Sequence, residues 1–153
     1  MASIVFNMAK GRIAELYNRV TSNDPANSAL VLIPIETSGL EADSVLVDAD
    51  TVAAVLAGAT NEQTTMGRKV LTNAELVAFP GPDDANDRMD LSLPQVVWAA
   101  AAGNPISKLL VAYDADTTGG ADTALIPLTL FDFVATPSGG DITMTAGVFA
   151  RAS

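Results

Sequence analysis

The stretch "AYDADTTGGAD", residues 112 to 122, places Asp114, Asp116 and Asp122 beside two threonines and a Gly-Gly pair. Oxygen-rich loops of this kind hold hard cations, so calcium is the first chemistry to test. With Asp114 at position 1 of an EF-hand-type loop, Asp116 and Thr118 take positions 3 and 5, and Gly119 takes the glycine position 6. Position 12, where a bidentate glutamate belongs, is Leu125. A looser oxygen cage survives that mismatch, and the three aspartates stay as candidate cation ligands. A turn between two strands is the simpler reading. Apolar runs flank the stretch, Gly119-Gly120 offers positive φ, and Asp and Thr side chains satisfy loop backbone themselves. The turn is preferred.

A second cluster, Asp83, Asp84, Asp87 and Asp90 in "PDDANDRMD", reaches Pro94 at its twelfth position, so it has no calcium template either. A glycosidase-type pair would need two acids facing each other about 5–10 Å apart, and the aromatic residues, 5% of the chain, give little platform for a sugar. A solvated acidic loop with Arg88 pairing a neighbour is the preferred reading.

Catalytic equipment is otherwise sparse. The chain has no cysteine and no histidine, which removes the thiol nucleophile, the usual general base and the commonest metal ligand. No Gly-rich phosphate loop and no "GxSxG" occurs. No catalytic residue, cofactor or resident metal is expected, and the chain reads as a non-enzyme.

These residues sit in one domain's worth of chain. At 153 residues, 49% hydrophobic and 17% charged, it is a packed body built largely on alanine and valine. The net charge is −10, unevenly spread: Lys10, Arg12 and Arg19 face only Glu15 in the first twenty residues, and the remainder is strongly acidic. Such a body repels nucleic acid, whose binding depends on neutralising phosphates. The longest apolar run, "VVWAAAAG", is far short of the ~20 residues of a membrane helix. The apolar patch before the first basic residue reverses the order of a secretory signal, so folding in a cytoplasm is expected.

The elements follow from periodicity and punctuation. Residues 1–6 read as an N-terminal arm with an apolar triplet, Ile4, Val5 and Phe6. Residues 7–21 read as an amphipathic helix capped by Asn7, with Ala9, Ile13, Leu16, Tyr17 and Val20 on one face and Gly11 inside. "SNDP" ends it. Residues 28–153 form a β-rich body. "SALVLIPIE" is a buried strand with Pro34 at an edge or bulge; "DSVLV" reads as a short strand; "DADTVAAVLAGATNE" reads as a second short helix capped by Asp48 or Asp50. "RKVLT" and "ELVAF" read as strands, although "TNAE" also fits a capping box. "MDLSLP" and "QVVWAAAA" read as two strands or as one bent at Pro94, "KLLVAYD" and "TALIPLTLFDFVAT" are further strands, and "ITMTAGVFARA" is a last one with a bulge at Gly147. Tyr17 and Trp98 read as core. Asp132 is either a buried acid or a strand-face residue. The fold class is α+β, mainly antiparallel β, as a sandwich or open barrel.

Four segments, "AKGRIAELYNRVTSNDPANSALVLIPIE", "GRKVLTNAELVAFPGPDDANDRMDLSLPQVVW", "KLLVAYDADTTGGADTALIPLTLFDF" and "GGDITMTAGVFARA", cover nearly the whole chain and resemble a family of tailed-bacteriophage virion proteins. The most specific elements are "ELYNRV", the "DDANDR" loop and the "YDADTT…PLT…DF" strand pair. The resemblance implies a small non-enzymatic part of the particle, read as a capsid decoration (cement) protein on the outer shell. It implies the major capsid protein as partner and the virion as location. Self-association is expected, with a trimer favoured over a dimer because local threefolds are common places to reinforce a shell. The contact residues expected are Ile4, Val5, Phe6, Lys10 and Arg12; for the triplet, an edge strand or a hydrophobic staple is the equal alternative. Competing readings are a tail or head–tail connector protein, a calcium- or carbohydrate-binding surface module built on Asp114, Asp116 and Asp122, and, last, a carboxylate hydrolase.

Overall fold

The computed structural model describes residues 3–76 and 79–152. Among these described residues nine strands and three short helices follow one another as β1 (Ser3–Val5), α1 (Ile13–Thr21), β2 (Ala29–Glu36), α2 (Asp43–Leu46), α3 (Val52–Val55), β3 (Lys69–Leu71), β4 (Met89–Leu93), β5 (Val96–Trp98), β6 (Ile106–Asp114), β7 (Ile126–Ala135), β8 (Ile142–Met144) and β9 (Gly147–Ala152). The fold is α+β and mainly antiparallel β. One five-stranded sheet runs β1-β7-β6-β2-β3, beside two ribbons, β4-β9 and β5-β8.

The apolar runs "ALVLIPI" and "LLVAY" become β2 and β6, inner strands of that sheet, and the two are in register from Ala29↔Asp114 to Ile35↔Lys108, with a one-residue shift before Glu36↔Ile106. Alternation along a strand sends Ile33, Ile35, Leu110 and Lys108 to one face, and Leu30, Leu32, Val111 and Tyr113 to the other. On the first face Lys108 reaches Asp43 of α2 at 3.1 Å. Nearby, the Val52 amide at the start of α3 donates to the Leu125 carbonyl. On the second face the Trp98 ring meets Phe133 of β7 and the Lys69 ammonium of β3. There Tyr17 of α1 donates to the Ser92 carbonyl of β4 at 2.8 Å. Both faces are therefore covered, and strands buried on two sides read as continuous hydrophobic runs. Pro34 fits because its carbonyl accepts from Gln63 on the outer side, beyond the end of β3, where its missing N–H interrupts no strand ladder.

Several local expectations are corrected. Of the stretch read as an N-terminal arm, residues 1–6, the described part belongs to the fold: Ser3–Val5 pairs with Thr129–Phe131 of β7, and Phe6 is fully buried. The helix expected over 7–21 begins at Ile13, because Gly11 adopts φ +78 and residues 7–12 form successive turns. Its buried face is the expected one, including Ala9 ahead of the helix. Asn7 caps nothing; its side-chain amide donates to Asp48. "DSVLV" is helical, with the Val47 amide donating to the Asp43 carbonyl, and it buries only Leu46. The second helix is capped by Thr51, which accepts from the Ala54 amide, and not by Asp48 or Asp50.

"TNAE" forms the capping box: Glu75 accepts from the Thr72 amide at 2.8 Å and the Thr72 hydroxyl from the Ala74 amide. The strand read into "ELVAF" falls partly on Val77 and Ala78, which lie outside the described residues. "ITMTAGVFARA" divides into β8 and β9, which serve different ribbons, and the register of β9 skips Phe149 instead of bulging at Gly147. Tyr17 and Trp98 are core, and Trp98 donates its indole N–H to the Gly67 carbonyl.

Because Phe6 fills the core next to Leu128, Phe6→Ala lowers stability by about 3–5 kcal/mol, measured by urea denaturation. A loss below about 1 kcal/mol would return residues 3–6 to the status of an arm.

Candidate functional site

The aspartate stretch links adjacent antiparallel strands, β6 and β7, as a turn would. Asp114, at the end of β6, accepts from the Asp116 amide at 3.0 Å, and Asp116 accepts from both the Thr118 amide and its hydroxyl. The Thr117 amide donates to the Asn27 carbonyl, fastening the loop to the segment before β2. Gly119 and Gly120 contribute no positive φ, contrary to the sequence reading; the aspartate side chains organise this loop. The Thr118 hydroxyl and amide hold the Asp116 carboxyl below its ordinary pKa.

Asp122 points to a different task. Its two oxygens accept from Arg68 at 2.6 and 3.0 Å, and the same guanidinium donates to both oxygens of Glu62. Paired bidentate contacts are the strong form of the arginine–carboxylate bond. Hydrogen bonding to Glu62 first, and to Asp122 second, raises the Arg68 pKa; Arg68 in turn lowers that of Asp122. The Asp122 carbonyl accepts from the Ala53 amide of α3, so this one residue joins the β6–β7 loop, the start of β3 and the α3 segment. A small pocket of about 160 Å³ lies here, with Arg68, Asp114 and Asp122 on its wall. Among the described residues, no three or more His, Cys, Asp or Glu side chains are grouped to hold a metal ion. The three aspartates are not brought together as one cage: two fold their own loop and the third is an ion-pair partner.

The acidic loop before β4 is a tight hairpin. The Asp83 amide donates to the Arg88 carbonyl, and Arg88 lies 3.7 Å from the Asp83 carboxylate and 3.4 Å from that of Asp90. Asp132 is a strand-face residue, paired with Lys108 at 2.9 Å.

The N-terminal candidates separate. Ile4 and Val5 alternate to opposite faces of the sheet edge and are partly buried, and Phe6 is core. Val5 and Lys10 line a cleft of about 370 Å³ whose other walls come from α1 and the end of β9. Arg12, exposed, lies between two lining residues, Gly11 and Ile13. Sequence reasoning did not find the β9 wall of this cleft, nor Arg68 and Glu62 as partners of the aspartate loop. Arg68 and Asp122 are 54 residues apart and carry no local pattern.

No known protein family, curated protein or solved structure matches the chain. Among the described residues, no helix is long and apolar enough to cross a membrane.

A carboxylate whose folded pKa is depressed stabilises the fold above its unfolded pKa, and that stability is lost as pH falls through the folded value. Asp122 and Asp116 are both depressed, so the melting temperature falls as pH drops below about 4. Arg68→Met costs about 1–3 kcal/mol at neutral pH, reduced from a fully buried pair because the triad is partly exposed. It also flattens the acid slope; thermal melts of both proteins between pH 3 and 6 measure the difference. In the same assay calcium and EDTA leave the melting temperature unchanged. A rise of several degrees with calcium would show that the loop oxygens can be recruited to a cation.

Proposed function

We propose that the chain is a non-enzymatic structural protein of a tailed-bacteriophage particle, a capsid decoration (cement) protein bound to the outer shell. Two lines support this reading. The first is the resemblance of four segments spanning nearly the whole sequence to virion proteins of that kind. The second is the use made of the ionisable groups. Arg68, Lys108 and Arg151 are each committed to carboxylates that hold distant parts of the chain together, and Arg88 is spent on Asp83 and Asp90 within its own hairpin. Side chains spent on internal ties support a scaffold that binds by its surface.

The observation that carries the reading is apolar surface on the face covered by α2. Val134 of β7 is 82% exposed and Val45 of α2 is 59% exposed. Lys108 ties the two elements together through Asp132 and Asp43. Ile4 of the edge strand is paired with Leu130 and lies on the Asp132 side of β7. A cement protein needs only a modest interface of this sort, because many copies engaged on one lattice gain from multivalency. The acidic body would be kept from packaged DNA by charge, consistent with a place on the outside.

Purified protein is incubated with empty shells that lack it and cosedimented. The expected result is saturable binding at hundreds of copies per shell, weakened at least tenfold by Val134→Asp with Val45→Asp, which leave the melting temperature nearly unchanged because both sites are exposed. A dozen copies would assign the protein to a tail or connector ring, and no binding would overturn the reading.

A further inference from the structure

The cleft beside β1 owes its volume to small side chains. Gly11, Ala14, Ala150 and Ala152 leave space that Val5 and Ile13 flank with apolar surface. Lys10 stands at its lining, and among the described residues its ammonium has one hydrogen-bond partner, the neutral Asn7 side chain, which in turn donates to Asp48. Among the described residues Lys10 and Arg12 make no ion pair, although the chain has 18 acidic residues for 8 basic ones. The other lining cation, Arg151, is taken by Asp90 at 2.6 Å. Two neighbouring cations left unmatched on so acidic a protein leave an apolar cleft with positive charge beside it.

The complement lies next to it. Ala152 at the cleft pairs with Met89, the first residue of β4, and the acidic hairpin of residues 83–88 leads directly into that strand. Its outer residues Pro82, Asp84 and Asp87 are exposed. An apolar proline followed by carboxylates has the chemistry that the cleft and its cations lack. Within one chain the Met89–Ala152 pair joins the two features, and the outer hairpin residues, Lys10 and Arg12 are all exposed.

We propose that this face pairs with itself: the cleft, with Lys10 and Arg12, receives the Pro82–Asp87 tip of a second copy across a two-fold axis. Complementary patches lying together on one face meet reciprocally in a closed pair, whereas patches on different sides of a molecule build rings or filaments. The pairing therefore favours a dimer over the trimer that shell symmetry suggests. Pro82, already restrained in φ, gives apolar contact at small entropic cost, and the charge pairs fix register and partner choice. Pairing concerns the isolated protein and is separate from shell attachment through the Val45–Val134 side.

Sedimentation equilibrium of the full chain tests it. The expected species has twice the 15.7 kDa chain mass at low salt, and association weakens at least tenfold in about 0.5 M salt. Lys10→Glu with Arg12→Glu gives a folded monomer, as does Asp84→Lys; circular dichroism checks the fold of each. An equimolar mixture of these two variants restores the pair, because each reversed cleft then meets a reversed tip. A wild type that stays monomeric up to about 1 mM, a dimer that neither variant weakens, or a mixture that stays monomeric overturns the proposal. A monomer that still decorates shells would overturn the pairing alone, and a dimer that fails to bind shells would overturn the shell reading alone.

Discussion

The rest of the structure depends on the need to cover β2 and β6 on both faces. Leu30, Leu32 and Val111 have no water on one side, and Ile33, Ile35 and Leu110 have none on the other. Each such side chain stabilises the fold by about 1.5–3 kcal/mol when removed from water. The gain is realised only if separate pieces of chain are laid over each face. The segment with α2 and α3 covers one face; α1 and the two ribbons cover the other. Most of the short elements, which would be unstable alone, exist as lids for these two strands.

Lids held only by apolar contact could slide, and charge fixes them. Arg68 ties the β3 approach to the β6–β7 loop through Asp122 and to the chain before it through Glu62. Lys108 ties the sheet to α2, and Arg151 ties β9 to β4 through Asp90. Each tie uses one of the few cations of an acidic chain. Of the cations with no carboxylate partner among the described residues, Lys69 lies over the Trp98 ring, and Lys10 and Arg12 are left exposed on the outside of the molecule.

The long elements were legible in the sequence, because a doubly covered strand leaves a continuous apolar run that short turns cannot mimic. "KLLVAYD", "SALVLIPIE" and the buried face of α1 all follow from side-chain spacing. Short elements were legible only in part: "RKVLT" and "MDLSLP" do form β3 and β4, and α3 lies in the expected stretch. "DSVLV" has the β-branched composition of a strand, yet its place over the sheet, set by Leu46 and the Asp43–Lys108 pair, makes it a helical turn. Phe6 belongs to the core only because β1 finds β7 more than a hundred residues away. The aspartate stretch was readable as a turn because Asp and Thr satisfy nearby amides. The role of Asp122 was hidden in its distant partner. The cleft was half visible: Lys10 and Arg12 stand out by charge, whereas Ala150 and Ala152 are small residues with no signature of their own.

Native-state hydrogen exchange tests most directly whether the doubly covered strands are the foundation of the fold. The slowest amides should be those of residues 30–33 and 109–112, exchanging only through global unfolding, with those of β5, β8 and the loop of residues 83–88 opening at lower free energy. If β2 and β6 exchanged faster than the ribbons that cover them, the ribbons would be the foundation and the central sheet their dependent.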